Sequence, residues 1–343
     1  MNGRKSRHVA GLLLGVFLLG LAMQTLITAR PAAAEAGQAF SISPPLIELK
    51  ADRGQTVTTK IRLTNVSNDE LLIKVQFNDF GAKDETGAPN IIFDDTKGTT
   101  YSLRNWIGSP APFKVKSKET KTVEFPIQVP KDAEPGGHYA TIRFTGTSTA
   151  IEDSGVALNA SIGALVLMQV AGDIKEDAAI ADFFSTASSS QTNFFESAPI
   201  GFVERIKNNG NVHIKPTGVI EVKNMFGSTI ATLRVNGDTK DQKDQPKSIL
   251  PQSIRRFEQT LSNQWLFGSY TATLKLHYGQ GGKEITATTT FWVIPYKLII
   301  LGLVGLTALI VILRFGMRRY KQKILAEARG ESFGKKPLKK IKR

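Results

Sequence analysis

The chain has no cysteine and little histidine. Its 343 residues include no Cys and four His, and no two of these His stand at the spacing of a metal-ligand pair. The absence of Cys excludes a disulfide framework, thiolate catalysis and metal–thiolate centres. A Gly-x-Ser-x-Gly nucleophile elbow is also absent from the sequence. We therefore predict a protein that is not an enzyme and has no cofactor.

Helical periodicity is missing from most of the chain. Between residues 37 and 290 no apolar stripe with a 3.6-residue period extends beyond a turn or two, which argues against a βαβ fold and its nucleotide sites. Short alternating segments, such as TVTTKIRLTNV (56–66) and TATLKLHYG (271–279), are separated by turn clusters such as PGG and GQGG. Many short strands at this spacing predict an all-β sandwich.

The chain carries a basic excess, but only at its ends. The net charge is +14. Residues 1–34 carry four basic and no acidic residues, and residues 314–343 carry twelve and two, so the residues between them carry 28 of each sign. The neutral middle argues against nucleic acid as a partner. The basic tail suits contact with anionic lipid, at about 1 kcal/mol per Lys or Arg.

The N-terminus has the pattern of a secretory signal peptide. Three basic residues within 4–7 precede an apolar run over 9–22, and small residues follow it. This order predicts cleavage after Ala34 or Ala36. The apolar run continues beyond residue 22, so retention as an uncleaved membrane anchor is the alternative. Either outcome predicts that residues 37–294 are exported.

A second apolar stretch lies near the C-terminus. Residues 298–313 are apolar except for Thr307, and with their flanks they reach the roughly 20 residues that span a ~30 Å hydrocarbon core. Aromatic residues precede the stretch and basic residues follow it. This predicts a single-pass helix in the cell membrane, with the N-terminal side outside and the C-terminus in the cytoplasm. The predicted membrane-anchoring residues are Trp292, Tyr296, Lys297, Arg314, Arg318 and Arg319.

The strand pattern occurs twice. Segment 113–144 aligns with segment 248–278, and both contain a Gly-x-Tyr that opens a strand. Two copies of one plan predict an all-β protein with two tandem immunoglobulin-like β-sandwich domains followed by one transmembrane α-helix. The predicted boundaries are a signal peptide at 1–34, a first sandwich at 38–172, a second sandwich at 173–294, a membrane helix at 295–315 and a basic cytoplasmic tail at 316–343.

The Gly-x-Tyr motifs are predicted to have a structural role. Tyr139 follows Gly137, and Tyr270 follows Gly268, near the start of a late strand. Immunoglobulin-type sandwiches place there a tyrosine whose hydroxyl ties down the neighbouring corner.

The tryptophans and one aromatic pair are also predicted to be structural. Trp106 is predicted to close the first core, with a sugar-stacking platform as the alternative. Trp265 is predicted to cap the second core. Phe194 and Phe195, in a Ser-rich loop, are predicted to pack under the loop or to extend a strand edge, with an exposed binding tip as the alternative.

Acidic residues gather in one predicted hairpin, 78–95. Carboxylate oxygens are hard ligands that suit Ca²⁺, and a solvated turn explains Asp and Asn there equally well. No metal site is predicted elsewhere. The weak calcium candidates are Asp79, Asp84, Asp94 and Asp95.

The chain resembles a family of bacterial surface proteins. The segments SPPLIEL, IRLTNVSND, NWI and FKVKSKETKTVEFPIQVPKDAEPGGHYATIRF look like the first domain of the WxL-interacting proteins of Gram-positive surfaces, and VERIKNNGNVHIKPTGVIEV, ILPQSIRRFEQTL and FGSYTATLKLHY are similar to their second domain. The resemblance covers nearly the whole chain. It implies a peptidoglycan-binding first domain and a second domain that binds a host protein or another partner. Its main motif consists of Pro130, Asp132, Ala133, Pro135, Gly136, Gly137, His138 and Tyr139.

These observations predict a non-catalytic, membrane-anchored binding protein of the bacterial cell surface. Its partners would be cell-wall polymer, namely peptidoglycan, surface proteins in an adhesion role, or both. Membrane lipid would contact the helix and the basic tail. The alternative is an envelope assembly factor, similar to a chaperone, that pairs an edge strand with exported subunits. A long uncharged edge strand would favour that alternative, whereas an edge with Lys and Pro would favour simple display.

Overall fold

The computed structural model describes residues 39–94, 99–148, 159–237, 245–262 and 265–328. The predicted signal peptide and its cleavage sites lie outside these residues, as do Asp95 and the end of the basic tail. The described part is built from β-strands followed by one apolar helix, which confirms the predicted all-β class.

Nine strands form the first half of the described chain and nine form the second. The strands of the first half are β1 (Phe40–Ser43), β2 (Leu46–Ala51), β3 (Thr56–Asn65), β4 (Leu71–Ala82), β5 (Pro89–Ile92), β6 (Phe113–Val115), β7 (Thr120–Gln128), β8 (Gly136–Ser148) and β9 (Asn159–Val170), with a 3-10 turn at Arg104–Trp106. The strands of the second half are β10 (Ala178–Ala187), β11 (Ser190–Gln191), β12 (Phe194–Phe195), β13 (Ile200–Asn208), β14 (Thr217–Asn224), β15 (Thr229–Val235), β16 (Ile254–Leu261), β17 (Gly268–Tyr278) and β18 (Lys283–Val293). The helix α1 (Tyr296–Ala328) follows.

The two halves have the same strand order. In the first half, one sheet has the order β1-β3-β7 and the other β2-β9-β8-β4-β5, with β6 also paired to β4. In the second half, β10-β13-β16 and β12-β18-β17-β14-β15 occupy the corresponding places, with β11 added beside β10. β2 pairs in parallel with β9, the last strand of the first half, and β12 pairs in parallel with β18, the last strand of the second half, while the other pairings between strands are antiparallel. The repeat seen in the sequence is therefore a repeat of topology.

Alternation of apolar and polar residues buries one face of each sheet. In β7, Val123, Phe125 and Ile127 are buried while their neighbours are exposed or half-buried. In β17, Tyr270, Ala272, Leu274 and Leu276 follow the same period of two. Each half encloses its own apolar cluster between its two sheets. Each half is therefore a β-sandwich.

A buried asparagine closes the same corner in both halves. Asn65, the last residue of β3, donates its side-chain amide to the carbonyls of Val115 (3.2 Å) and Lys116 (3.0 Å). Asn208, the last residue of β13, donates to the carbonyls of Val212 (2.8 Å) and Ile249 (2.9 Å). Both Asn residues are fully buried. Because a buried carbonyl needs a partner, each Asn stabilises the loops that flank its strand.

The helix α1 is long, apolar and uncovered. Residues 296–325 have the length and hydropathy of a membrane span, and none of the span's most apolar window is buried inside the protein. A helix of this composition in water would expose its apolar side chains on every face, which soluble proteins avoid. The helix runs without a break to Ala328, so it passes through the basic residues that were predicted to begin the tail.

Candidate functional site

In the described residues, the side chains that could bind a metal ion do not form a cluster. Within the described ranges no group of three or more His, Asp or Glu side chains could hold a metal ion. His138 and His213 lie apart from the exposed pair of His277 and Glu284, whose Nε2 and Oε2 atoms are 3.1 Å apart.

The acidic hairpin is a contact between the two halves. Of the calcium candidates, Asp79 is fully buried, accepts a hydrogen bond from the Ser102 hydroxyl (2.8 Å) and lies 3.4 Å from the Arg104 guanidinium. Asp84 accepts hydrogen bonds from the Thr86 hydroxyl and from the Thr86 backbone N–H (2.8 Å). The bond from the hydroxyl, followed by that from the N–H, lowers the pKa of this carboxyl. Asp94 does not join them in a metal cluster. In the described part of the hairpin, Asp84 forms a turn with Thr86, while Asp95 lies outside the described residues.

The tip of this hairpin lies on the edge strand β16 of the second half. The N–H of Arg256 donates to the Glu85 carbonyl (2.7 Å). The Glu85 carboxylate accepts two hydrogen bonds from the Arg205 guanidinium, one of them 2.8 Å long, and this pairing lowers the pKa of Glu85 and raises that of Arg205. The Arg255 guanidinium lies directly over Gly87, where a Cβ atom would be 2.2 Å from Cζ. The sequence patterns did not reveal this contact, because a turn-rich hairpin looks the same whether its tip is solvated or docked.

An apolar contact forms the centre of the junction. Phe80, Tyr139 and Leu167 on the outer face of the first half form a small buried cluster, against which Leu250 of the second half packs. The Tyr139 ring meets the His213 ring edge to face at 5.8 Å, with 3.4 Å between the hydroxyl and Nδ1. Burial raises the pKa of Tyr139 and lowers that of His213 to about 4, so both groups are neutral at pH 7.

Backbone contacts complete the junction. The N–H of Gly137 donates to the Asn211 carbonyl (2.8 Å), and the Asn211 side-chain amide donates to the carbonyls of Pro135 (3.3 Å) and Asp173 (2.9 Å). Gly136 has a φ of +129°, and a Cβ atom there would be 2.6 Å from the Asn211 carbonyl oxygen. The motif formed by Pro135, Gly136 and Gly137 therefore holds the second half against the first.

The prediction that Tyr139 ties down its own corner is wrong. Tyr139 lies on the outer face of its sheet, one residue out of phase with Tyr270, which lies on the core face of β17. The hydroxyl of Tyr270 accepts a hydrogen bond from the Phe267 N–H (2.9 Å) and donates one to the Phe267 carbonyl (3.2 Å). Gly268, which lies between these two residues, begins β17 with a φ of +101°.

In the first half, His138 occupies the core-side position. Its ring nitrogens lie 2.9 Å from the Glu134 carbonyl and 3.2 Å from the Ser102 carbonyl. Its ring packs 4.4 Å from the ring of Trp106, which is half-buried against the first apolar cluster. In the repeat alignment Tyr139 stands opposite Tyr270, which hides this shift of one residue.

One buried carboxyl inside the second sandwich was not found from the sequence. Glu204 lies between Phe202 and Ile206 on the core face of β13 and is fully buried. Neither of its carboxyl oxygens has a hydrogen-bond partner. Burial raises the pKa of Glu204 to about 9, so the group is protonated at pH 7.

Two edge strands, β7 and β16, contain charged residues and are contacted by neighbouring segments. The edge strand β7 contains Lys121, Glu124 and Pro126, and the Gly108 N–H donates to the Pro126 carbonyl (2.8 Å). The edge strand β16 contains two Arg and one Glu and is contacted by the acidic hairpin. Charges and Pro on an edge hinder pairing with another chain.

The last strand of the second half has an open edge. On the side away from β17, β18 pairs with β12 at Trp292 and Val293 only, so in the described structure residues 283–291 have no hydrogen-bonded strand on that side, although β10 of the facing sheet lies close to β18. After Lys283 and Glu284 the run ITATTTFWV carries no charge. Ile285 and Ala287 face the second apolar cluster and are only partly buried. A long uncharged edge with apolar side chains behind it is suited to pairing with an additional strand.

The corresponding strand of the first half has a shorter open edge. β2 covers residues 165–170 of β9, whereas residues 159–164 have no described strand beyond them. These residues, NASIGA, are also uncharged.

The predicted membrane-anchoring residues lie at the free end of the second half and along α1. Trp292 and Tyr296 are about half exposed, and the Lys297 ammonium lies 2.6 Å from the Glu196 carboxylate. Arg314, Arg318 and Arg319 lie on α1 itself.

No protein-family model and no curated protein matches the chain. Among solved structures, the class 5 fimbriae chaperone CfaA is similar with a TM-score of 0.38 at 15% identity, over 74% of this chain and 98% of that one. The E. coli chaperone DraB gives 0.32 at 11% identity over 74% and 96%. The Pseudomonas aeruginosa CupB2 chaperone gives 0.32 at 9% identity over 73% and 100%. At these scores the likeness carries no argument about function, which has to be inferred from the geometry of this chain.

Proposed function

We propose that the protein is a non-catalytic, membrane-anchored binding protein of the cell surface that holds a protein partner by strand addition to β18. The observation that supports this proposal is the open edge over residues 283–291, which is uncharged from Ile285 onward. Main-chain hydrogen bonds supply affinity in strand addition, and alternate side chains of the added strand supply specificity.

The edge defines the kind of partner. Ile285 and Ala287 are the partly buried apolar side chains behind the edge. An added strand would therefore place an apolar side chain at every second position, over the core, and polar side chains toward solvent. The exposed residues on the other face of β18 are Thr286, Thr288 and Thr290. They suit a partner strand with Thr or Ser on that face.

The anchor limits where the partner is held. Two residues, Ile294 and Pro295, separate β18 from α1. If α1 spans the membrane, the open edge rises directly from the bilayer surface. Partners exported through the same membrane would meet the edge at close range.

The open edge favours the assembly-factor form of this proposal over simple display. In that form the protein pairs with exported subunits and releases them, and in the display form the complex is lasting. Contact of the first half with cell-wall polymer is a separate proposal, which rests on the resemblance to the WxL-interacting proteins.

The proposal is tested by capturing partners with the full chain. The tagged full-length protein is cross-linked in the source cells, solubilised and purified, and the co-purifying exported proteins are quantified. Ala287→Lys places a charge on the core side of the edge and is expected to reduce capture at least tenfold. The matched control, Thr273→Lys, adds the same charge to β17, which is an interior strand, and is expected to leave capture unchanged.

Two outcomes would contradict the proposal. One is capture that Ala287→Lys does not reduce, with folding verified by thermal unfolding. The other is a wild-type protein that captures no exported protein in the source cells; sedimentation of that protein with purified peptidoglycan would then favour a wall-binding function.

A further inference from the structure

The end of the second half from which α1 leaves carries an unusual group of exposed apolar side chains. We call this group the apical ring. The exposed fractions are 89% for Trp265, 85% for Phe226, 66% for Phe267, 54% for Met225, 49% for Phe194 and 48% for Trp292. Soluble proteins rarely expose so many large apolar side chains in one place, and such patches mark binding surfaces.

Strand register places the members of the apical ring at one end of the sandwich. Phe194 pairs with Trp292, and Gly268, directly after Phe267, pairs with Val293 at the end of β18. Asn224, directly before Met225, pairs with Tyr270. The turn between β14 and β15, the segment before β17 and the end of β18 therefore lie side by side around the start of α1.

The loops at this end are almost free of charge. In the sequence over 187–200, 224–229, 261–267 and 293–297, the charged residues are Glu196 and Lys297, and these two form an ion pair with 2.6 Å between the ammonium and the carboxylate. The opposite end differs, since 172–177 alone contains Asp173, Lys175, Glu176 and Asp177. Surface loops without free charge and with Trp and Phe at their tips suit the boundary between lipid headgroups and acyl chains.

The short connection to α1 determines how far the ring can lie from a membrane. The N–H of Tyr296 donates to the Ile294 carbonyl (2.7 Å), and the N–H of Ile299 donates to the Pro295 carbonyl (3.1 Å), so the helix begins directly at the end of the strand. The ion pair of Lys297 with Glu196 holds the first turn of the helix to the loop that follows β12.

We propose that the apical ring inserts into the lipid interface around α1 and fixes the second half on the bilayer surface. This inference rests on the proposed membrane anchor and adds a second membrane contact, in which Trp265, Phe267 and Phe226 lie among lipids. Interfacial segments of this kind bury their apolar side chains about 5–10 Å into the headgroup boundary. The sandwich would then keep one orientation above the membrane, with the edge of β18 held upright.

The test uses the full chain in phospholipid nanodiscs and quenching of Trp fluorescence by brominated lipids. Trp106→Phe with Trp292→Phe leaves Trp265 as the single Trp, and lipids brominated near the headgroup are expected to quench at least half of its emission. The matched control retains Trp106 as the single Trp, with Trp265→Phe and Trp292→Phe, and is expected to show no quenching, because Trp106 lies in the first half.

A third variant separates failure of this inference from failure of the anchor. Leu306→Trp in a background without the other Trp reports the centre of α1 and is expected to be quenched by lipids brominated deep in the acyl chain. Quenching at position 306 without quenching of Trp265 would overturn the inference and leave the anchor intact. Absence of quenching at both positions would overturn the anchor as well.

Discussion

The two halves share one strand order but use the outer face of their larger sheet differently. In the first half, Tyr139 and Leu167 on that face are buried at the junction. In the second half, the corresponding strands β17 and β18 carry a Thr-rich outer face, on which Thr288 and Thr290 are exposed. The outer face of the larger sheet is therefore an apolar contact surface in the first half and a solvent-exposed polar surface in the second half.

The edge strands β16 and β18 of the second half also differ in charge and in contacts. β16 is charged and is contacted by the acidic hairpin of the first half, whereas β18 is uncharged over most of its length and has no hydrogen-bonded strand beside 283–291. Since exposed strand edges are usually protected, this difference is the basis of the proposal that β18 is the edge to which a partner strand is added.

The largest effect is expected at the shared buried asparagines. Asn65→Ala and Asn208→Ala each leave at least two carbonyls without their side-chain donor, and each is expected to lower the free energy of unfolding by about 3 kcal/mol. Chemical denaturation of the two variants measures the loss. Asn90→Ala, at an exposed position on strand β5, is the control. A large loss in one half only would show that the halves are not equivalent at this corner.

Glu204 is expected to distinguish the second half by its pH dependence. Burial raises the pKa of Glu204 to about 9 from 4.5, so the folded state holds a proton that the unfolded state releases between these values. Its contribution to stability is therefore complete below pH 4.5 and is lost as the pH rises toward 9. Glu204→Gln removes this loss and is expected to stabilise the protein by about 2 kcal/mol at pH 8 and to have little effect at pH 4.5.

Denaturation at the two pH values measures this difference. Glu124→Gln is the control, because Glu124 lies on the edge strand β7 of the first half and is exposed. Equal effects of Glu204→Gln at pH 4.5 and pH 8 would contradict the assigned shift.

The junction is expected to weaken in acid through His213. Burial lowers the pKa of His213 to about 4 from 6.5, so its unfolded state binds a proton that the folded state excludes. The stability that His213 contributes is present above pH 6.5 and is lost as the pH falls toward 4, by about 2 kcal/mol. His213→Gln is expected to flatten the pH dependence of unfolding in this range. Mutation of the exposed His277 to Gln should leave it unchanged.

The smallest effect is expected at the acidic hairpin. Glu85 and Arg205 are each about one-third exposed, so Glu85→Gln is expected to cost less than about 1 kcal/mol in solution. The loss should shrink further in high salt. Hydrogen exchange of β16, compared between Glu85→Gln and the control Asp84→Asn, measures local opening of the contact. Unchanged exchange in both variants would show that the side-chain pair does not hold the hairpin.

Most of the fold could be predicted from the periodicity of apolar residues in the sequence. Alternation in segments such as those of β7 and β17 identified the strands, and the Gly-x-Tyr repeat identified the two copies, because both signals are local. The apolar run after Tyr296 identified α1 for the same reason. The corner role of Tyr139 was wrong because alignment cannot detect a shift of one residue, which in a strand moves a side chain to the opposite face.

The surfaces could be predicted only in part. Phe194 and Phe195 do extend a sheet edge, as β12. Trp265 was predicted to cap a core and is instead exposed, since Leu266 beside it is the buried residue. The docked hairpin at Glu85 and the open edge of β18 depend on which strands become neighbours, and this is decided by pairings between residues far apart in the sequence.

Site-specific photo-cross-linking along the second half tests the central claim most directly. A photoreactive residue replaces Thr288 on the open edge in one full-length protein and Thr232 on β15, at the other side of the same sheet, in another. Irradiation in the source cells is predicted to join an exported protein to position 288 and not to position 232, and Ala287→Lys is predicted to abolish the product. Equal cross-linking at both positions, or a product that survives Ala287→Lys, would contradict binding by strand addition to β18.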